Sequence, residues 1–150
     1  VELINRHLSK LLRNQLNMFE HFFDKDLFLH LSGDITKEDV IKTMYEKAHD
    51  KGIVDERFID SVLQREEIGD TNMNEVFALP HPMELCATDT KVVVALLDTP
   101  IKWNESNSIQ IVFMLVIKQG EMQDFEHLYD IFIEIAGTKR ADDFFTDETK

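Results

Sequence analysis

The sequence predicts an α/β domain, a three-layer α/β/α sandwich built on a small mixed β-sheet. Three observations predict it. Two capped amphipathic helical segments precede the strongest strand signals, and their apolar stripes need a sheet to cover. The runs Val92 to Leu97 and Ile109 to Ile117 are nearly continuous in apolar, largely β-branched residues, the pattern of strands covered on both faces. A third amphipathic helix then follows, suited to the second face. A length of 150 residues fits one domain, able to bury roughly two-thirds of the surface its unfolded chain would expose.

Residues 1–23 read as one helix, because Ile4, Leu8, Leu11, Leu12, Phe19 and Phe22 recur at spacings of three and four. Its polar side carries Arg6, His7, Lys10 and Arg13, so residues 1–16 carry +2 and the remainder −15. That shift suggests a linker or docking helix outside a main body at 24–150, although an ordinary first helix of the domain fits the same pattern. Leu27-Phe28-Leu29-His30-Leu31 reads as a strand ended by Ser32-Gly33-Asp34. Thr36 caps a helix, with Asp39 approximating a capping box. Val40, Ile41, Met44, Tyr45 and Ala48 form its stripe, and Gly52 stops it. Asp55 caps another, with stripe Phe58, Ile59, Val62 and Leu63, ended by Gly69. The period then changes to short β-rich runs, beginning with Val76 to Leu79. The last helix is expected from Asp124 to just before Gly137. Phe125, Leu128, Ile131, Phe132 and Ile135 lie on one side of it, Glu126, Asp130 and Glu134 on the other, and His127 near the boundary. An acidic tail follows, expected to be mobile.

The composition excludes several function classes. Sixteen Lys and Arg against 29 Asp and Glu give a formal charge of −13, which lacks the basic footprint of a nucleic-acid binder or an anionic-membrane binder. No apolar run approaches the roughly 20 residues of a membrane span, and no secretory signal pattern opens the chain. The single cysteine, Cys86, cannot form an internal disulfide and fits a reducing cytosol. A start at Val1 suggests a processed chain or, as the preferred expectation, a piece cut from something longer. No metal or cofactor motif is present.

Of six histidines, His7, His21, His30 and His49 have ordinary structural explanations. His81 differs, because Pro80 and Pro82 fix φ on either side and remove two donors. It is either a chance histidine in a Pro-rich turn or an imidazole presented for chemistry. General-base work finds no Ser nucleophile elbow, and Cys86 has no neighbour to make it a thiolate. The remaining option is that His81 is itself a nucleophile that becomes phosphorylated. That chemistry needs one unprotonated ring nitrogen, the other donating to fix the tautomer. It also needs a cation for the phosphoryl oxygens, best an Arg fork.

The segment Arg65-Glu66-Glu67-Ile68-Gly69-Asp70-Thr71, followed by Ala78-Leu79-Pro80-His81-Pro82, resembles the signature of mannitol/fructose-type (type 2) EIIA domains of the bacterial sugar phosphotransferase system. His81 stands 16 residues after Arg65, and His127-Leu128 stands 46 after His81, both as in that family. The resemblance runs from about Leu27 to Gly137. It implies that His81 accepts phosphate from HPr and passes it to an EIIB domain or holds it as a regulatory mark. Arg65 and His127 would flank the phosphoryl group. His127 would sit in a first helical turn after Asp124, where free N–H groups favour an anion. Arg65 also suits a last helical turn without any ligand. Two departures weigh against efficient phosphorylation. Asp70 replaces the usual small hydroxyl residue, and Asn72-Met73-Asn74-Glu75 lacks a glycine often found there.

Pro82, and Thr99-Pro100-Ile101-Lys102-Trp103, resemble a subgroup: the C-terminal EIIA-like domains of BglG-type transcriptional regulators. The preferred expectation is a phosphorylatable sensor domain acting on upstream regulator domains of the same chain, with no direct nucleic-acid binding and no membrane insertion by this segment. A transport EIIA subunit and a non-phosphorylated interaction module of the same fold are the alternatives.

Overall fold

Alternate residues of the central strands enter two different cores, which is what makes the domain three-layered. The computed structural model describes residues 21–73 and 75–138. Its sheet has five strands: β1 (Phe23–Leu31), β2 (Asn72–Met73), β3 (Phe77–Ala78), β4 (Lys91–Lys102) and β5 (Ser108–Val116), in the order β1-β4-β5-β3-β2. β1 runs parallel to β4 and β3 parallel to β5, while β4–β5 and β3–β2 are antiparallel. The sheet is therefore mixed, as expected. Among the described residues three helices accompany it: α1 (Lys37–Asp50), α2 (Glu56–Ile68) and α3 (Met122–Thr138).

On one face, Val93, Ala95, Leu97, Val112, Met114 and Val116 pack with Val40, Ile41 and Met44 of α1 and Phe58 and Val62 of α2. On the other, Val92, Val94, Leu96, Ile111, Phe113 and Leu115 pack with Leu128 and Phe132 of α3. The period of two sends neighbours to opposite faces, so a run apolar at every position is a run needed by both cores. Phe77, Phe113 and Phe132 meet edge-on or tilted at the centre of the second core.

The local signals fold as read. Thr36 caps α1 with a complete capping box, its hydroxyl accepting from the Asp39 N–H while the Asp39 carboxylate accepts from the Thr36 N–H. Asp55 caps α2 through the Arg57 N–H. Gly52, at φ +82°, supplies the left-handed residue that ends α1.

Several boundaries differ. Residues 1–20 of the expected first helix lie outside the described residues. His21 and Phe22 form a short 3₁₀ turn, and Phe23 already belongs to β1. Phe22 is buried in the second core, so the body includes it. β2 was not anticipated, since two residues carry no period, and of the run Val76 to Leu79 only Phe77–Ala78 are strand. α3 begins at Met122, two residues before Asp124, with the Glu121 carbonyl accepting from the Asp124 and Phe125 N–H groups. The side chains of Ile135 and Thr138, and residues 139–150 including most of the acidic tail, also lie outside the description.

Candidate functional site

His81 sits just after β3, buried to 6% exposure. Three tethers hold its loop. The Leu79 N–H donates to the Thr71 carbonyl (3.0 Å), the Leu115 N–H of β5 donates to the Pro80 carbonyl (3.0 Å), and Ser61 of α2 takes the far end. The Ser61 hydroxyl oxygen accepts from the N–H groups of both Met83 (2.8 Å) and Glu84 (3.1 Å). Pro80 and Pro82 are buried beside the histidine. Having no N–H, they can be buried without leaving a donor unpaired.

The ring is oriented from within its own loop. His81 Nδ1 lies 2.8 Å from the Leu79 carbonyl oxygen. A carbonyl only accepts, so Nδ1 carries the proton and Nε2 keeps its lone pair. Phe125 and Tyr129 of α3 pack on the ring at centroid distances of 5.1 and 5.9 Å. Burial pushes the imidazolium pKa below its ordinary value, and the Arg65 charge adds to this. The Leu79 carbonyl and Glu66 pull the other way. The result is a neutral, tautomerically fixed imidazole beside a cation.

Arg65 lies in the last turn of α2, half-buried, and donates from Nη1 to the Gly69 carbonyl at 2.7 Å. It therefore closes the C-terminus of its own helix while its charge acts on His81. Ser61 and Arg65 are one turn apart on α2, so the same helix face grips the His81 loop and carries the guanidinium. Gly69 ends α2 with extended backbone, φ −179°, rather than in the left-handed region.

His127 is placed differently from its two partners. With α3 starting at Met122, it is the sixth helical residue, beyond the first turn whose N–H groups are unsatisfied. The anion-binding argument made for it from an Asp124 cap therefore does not hold. It is exposed, and it stands two positions from both Phe125 and Tyr129, the residues that touch the His81 ring. At about 100° per residue it points to the opposite side of α3 from them. The Arg65 charge acts on His81, and His127 stands exposed on the helix that supplies Phe125 and Tyr129 to the His81 ring.

Residues 21–147 match the model of the family described as phosphoenolpyruvate-dependent sugar phosphotransferase system, EIIA 2. The chain belongs to this family. Among curated relatives, it is 27% identical over 124 residues to the Probable licABCH operon regulator of Bacillus subtilis (strain 168), covering 83% of this chain and 19% of that protein. It is also 27% identical over 92 residues to the mannitol-specific phosphotransferase enzyme IIA component of the same organism, covering 59% of this chain and 64% of the relative. The chain thus spans about a fifth of the regulator and under two-thirds of the mannitol component. Among solved structures, the Escherichia coli complex of enzyme IIA(Mtl) with phosphorylated enzyme IIB(Mtl) matches with a TM-score of 0.61 at 18% identity, over 78% of this chain and 99% of that one. At that identity the match shows the EIIA fold.

Two residues of this EIIA domain escaped the sequence reading. Ser61 carried no motif. Glu66, by contrast, had a legible signal: it follows Phe58 and Val62 at i+8 and i+4, a carboxylate in a buried stripe. It is 8% exposed, accepts from the Thr71 hydroxyl and, at 3.4 Å, from the Thr71 N–H, and pairs with Lys37 at 2.8 Å. Thr71 in turn bonds Leu79, whose carbonyl orients His81. Among the described residues, no group of three or more His, Cys, Asp or Glu is placed to hold a metal ion, and no helix is long and apolar enough to cross a membrane.

Proposed function

We propose that this EIIA domain is a phosphohistidine carrier in which His81 accepts phosphate from HPr and reports it to a sugar-operon transcription regulator. One observation carries the reading: the Nδ1–H held on the Leu79 carbonyl, which leaves Nε2 as the nucleophile. In the step, the Nε2 lone pair attacks phosphorus, the P–N bond of the donor phosphohistidine breaks, and its electron pair returns to the donor imidazole. No proton has to leave His81, because its single ring proton is already on Nδ1. Arg65 meets the phosphoryl oxygens with its remaining N–H donors. His127, by family resemblance, would contribute a second donor once α3 presents it. The setting is cytoplasmic, and the partners are HPr on one side and upstream regulator domains of the same chain on the other.

Incubation with phosphoenolpyruvate, enzyme I and HPr should leave acid-labile phosphate on the domain. The label should vanish in His81→Ala. A wild type that stays unlabelled overturns the reading and leaves an interaction module of the same fold. The mannitol component among the relatives supports a second reading, a transport EIIA that passes phosphate to EIIB. Transfer of the label from the phosphorylated domain to an EIIB protein would favour it over the regulator.

A further inference from the structure

The His81 ring proton is held at the end of a chain of contacts that starts at a buried carboxylate. The Leu79 carbonyl accepts from His81 Nδ1 at 2.8 Å. The Leu79 N–H donates in turn to the Thr71 carbonyl at 3.0 Å. Thr71 is gripped twice by Glu66 of α2: one carboxylate oxygen accepts from its hydroxyl, the other from its N–H at 3.4 Å. Thr71 is 3% exposed and Glu66 8%, so the grip is shielded from water. Lys37 of α1 balances the buried charge, with Nζ 2.8 Å from Glu66 and 2.9 Å from Asp70. Stability alone does not account for a carboxylate here. Glu66 continues the buried stripe of Phe58 and Val62, and an apolar side chain of similar volume often serves a fold as well as a buried ion pair does. What only a carboxylate offers at this position is two acceptors for one residue, which fix the backbone of Thr71 as well as its side chain.

We propose that Glu66 is a positioning residue for phosphoryl acceptance, locking Thr71 so that the Leu79 carbonyl keeps the His81 proton on Nδ1 and the lone pair on Nε2. The proposal rests on the reading of His81 as the acceptor. Loosening Thr71 lets the Leu79 carbonyl drift from the ring, and the imidazole then divides between its two tautomers. An Nε2 that carries the proton has no lone pair to offer phosphorus.

Two readouts on the full chain test it. Nitrogen NMR of the His81 ring at about pH 8 reads the tautomer of the neutral imidazole. Phosphorus NMR follows phosphohistidine formation from saturating phosphoramidate, a small donor that needs no protein docking and releases ammonia as its P–N bond breaks. The wild type should show the Nδ1–H tautomer and take phosphate on Nε2. Thr71→Val keeps the side chain's shape and removes its hydroxyl. It should bring in the Nε2–H tautomer and slow the maximal rate about fivefold, while Thr71→Ser stays within about twofold of wild type. Glu66→Met fills the same space and should slow the rate about tenfold. Adding Thr71→Val to it should cost nothing further, because both changes break one contact. Should Glu66→Met fail to fold, Thr71→Val decides by itself. A glutamate serving only the fold would lower the denaturant midpoint in these variants and leave the tautomer and rate of the folded protein unchanged. A folded Thr71→Val with the wild-type tautomer or the wild-type rate overturns the proposal while the His81 reading stands. A wild type that takes no phosphate overturns both.

Discussion

His81 combines burial with a neighbouring cation, and both act against protonation, so it should stay neutral at a pH where an exposed histidine charges. Because its folded pKa lies below the ordinary 6.5, the unfolded chain binds the extra proton first as pH falls. Stability tied to this group is therefore full above about pH 6.5 and declines as pH drops toward the folded value. We expect denaturant midpoints of the wild type to fall between pH 7 and 5 more steeply than those of His81→Gln. Parallel slopes would show that the imidazole is not shielded. At this scale the sequence disclosed much. The stiffened backbone around His81 and the place of Arg65 in a last helical turn were legible, because each depends on neighbours within a turn. Glu66 was only half-legible, as a carboxylate in the Phe58–Val62 stripe whose cation lies 29 positions away.

α2 does two things at once, carrying Arg65 and gripping the loop after His81 through Ser61. The distance between cation and nucleophile therefore depends on a hydroxyl that touches neither. Ser61→Ala should lower stability by about 1 kcal/mol, since the Met83 N–H keeps the Ser61 carbonyl (3.3 Å) and the Glu84 N–H lies at an exposed loop and can turn to water. The larger effect should fall on phosphotransfer, with an expected loss of about fivefold in maximal rate and little change in donor affinity. Ser61→Thr, which keeps the acceptor, should recover most of it. An unchanged rate in Ser61→Ala would show that the other tethers suffice. Element boundaries explain why the expected first-turn placement of His127 is not the one found. Asp124 has the chemistry of a cap, but the helix starts at Met122. Those two residues place His127 beyond the first turn and its unsatisfied N–H groups.

Across the whole molecule, a formal charge of −13 becomes a statement about partners once the family is established. A phosphodonor with a basic docking face would be steered toward this domain. Transfer from HPr should therefore slow as ionic strength rises from 0.05 to 0.5 M, by roughly tenfold, through a lower association rate. A salt-independent rate would mean that docking is apolar. Phosphoramidate, too small to be steered by that face, should show far less salt dependence. The two cores and the mixed sheet were readable in advance, because continuous apolar runs declare both sheet faces covered. Caps and stripes were readable because they involve residues three or four apart, which local geometry brings together in any context. The Leu79 carbonyl on the His81 ring, the Ser61 clamp 22 positions from Met83 and the Lys37–Asp70 pair 33 positions apart belong to the tertiary structure alone. Nothing local relates such residues. Only the packing of α1, α2 and β3 on one sheet decides which of these groups meet.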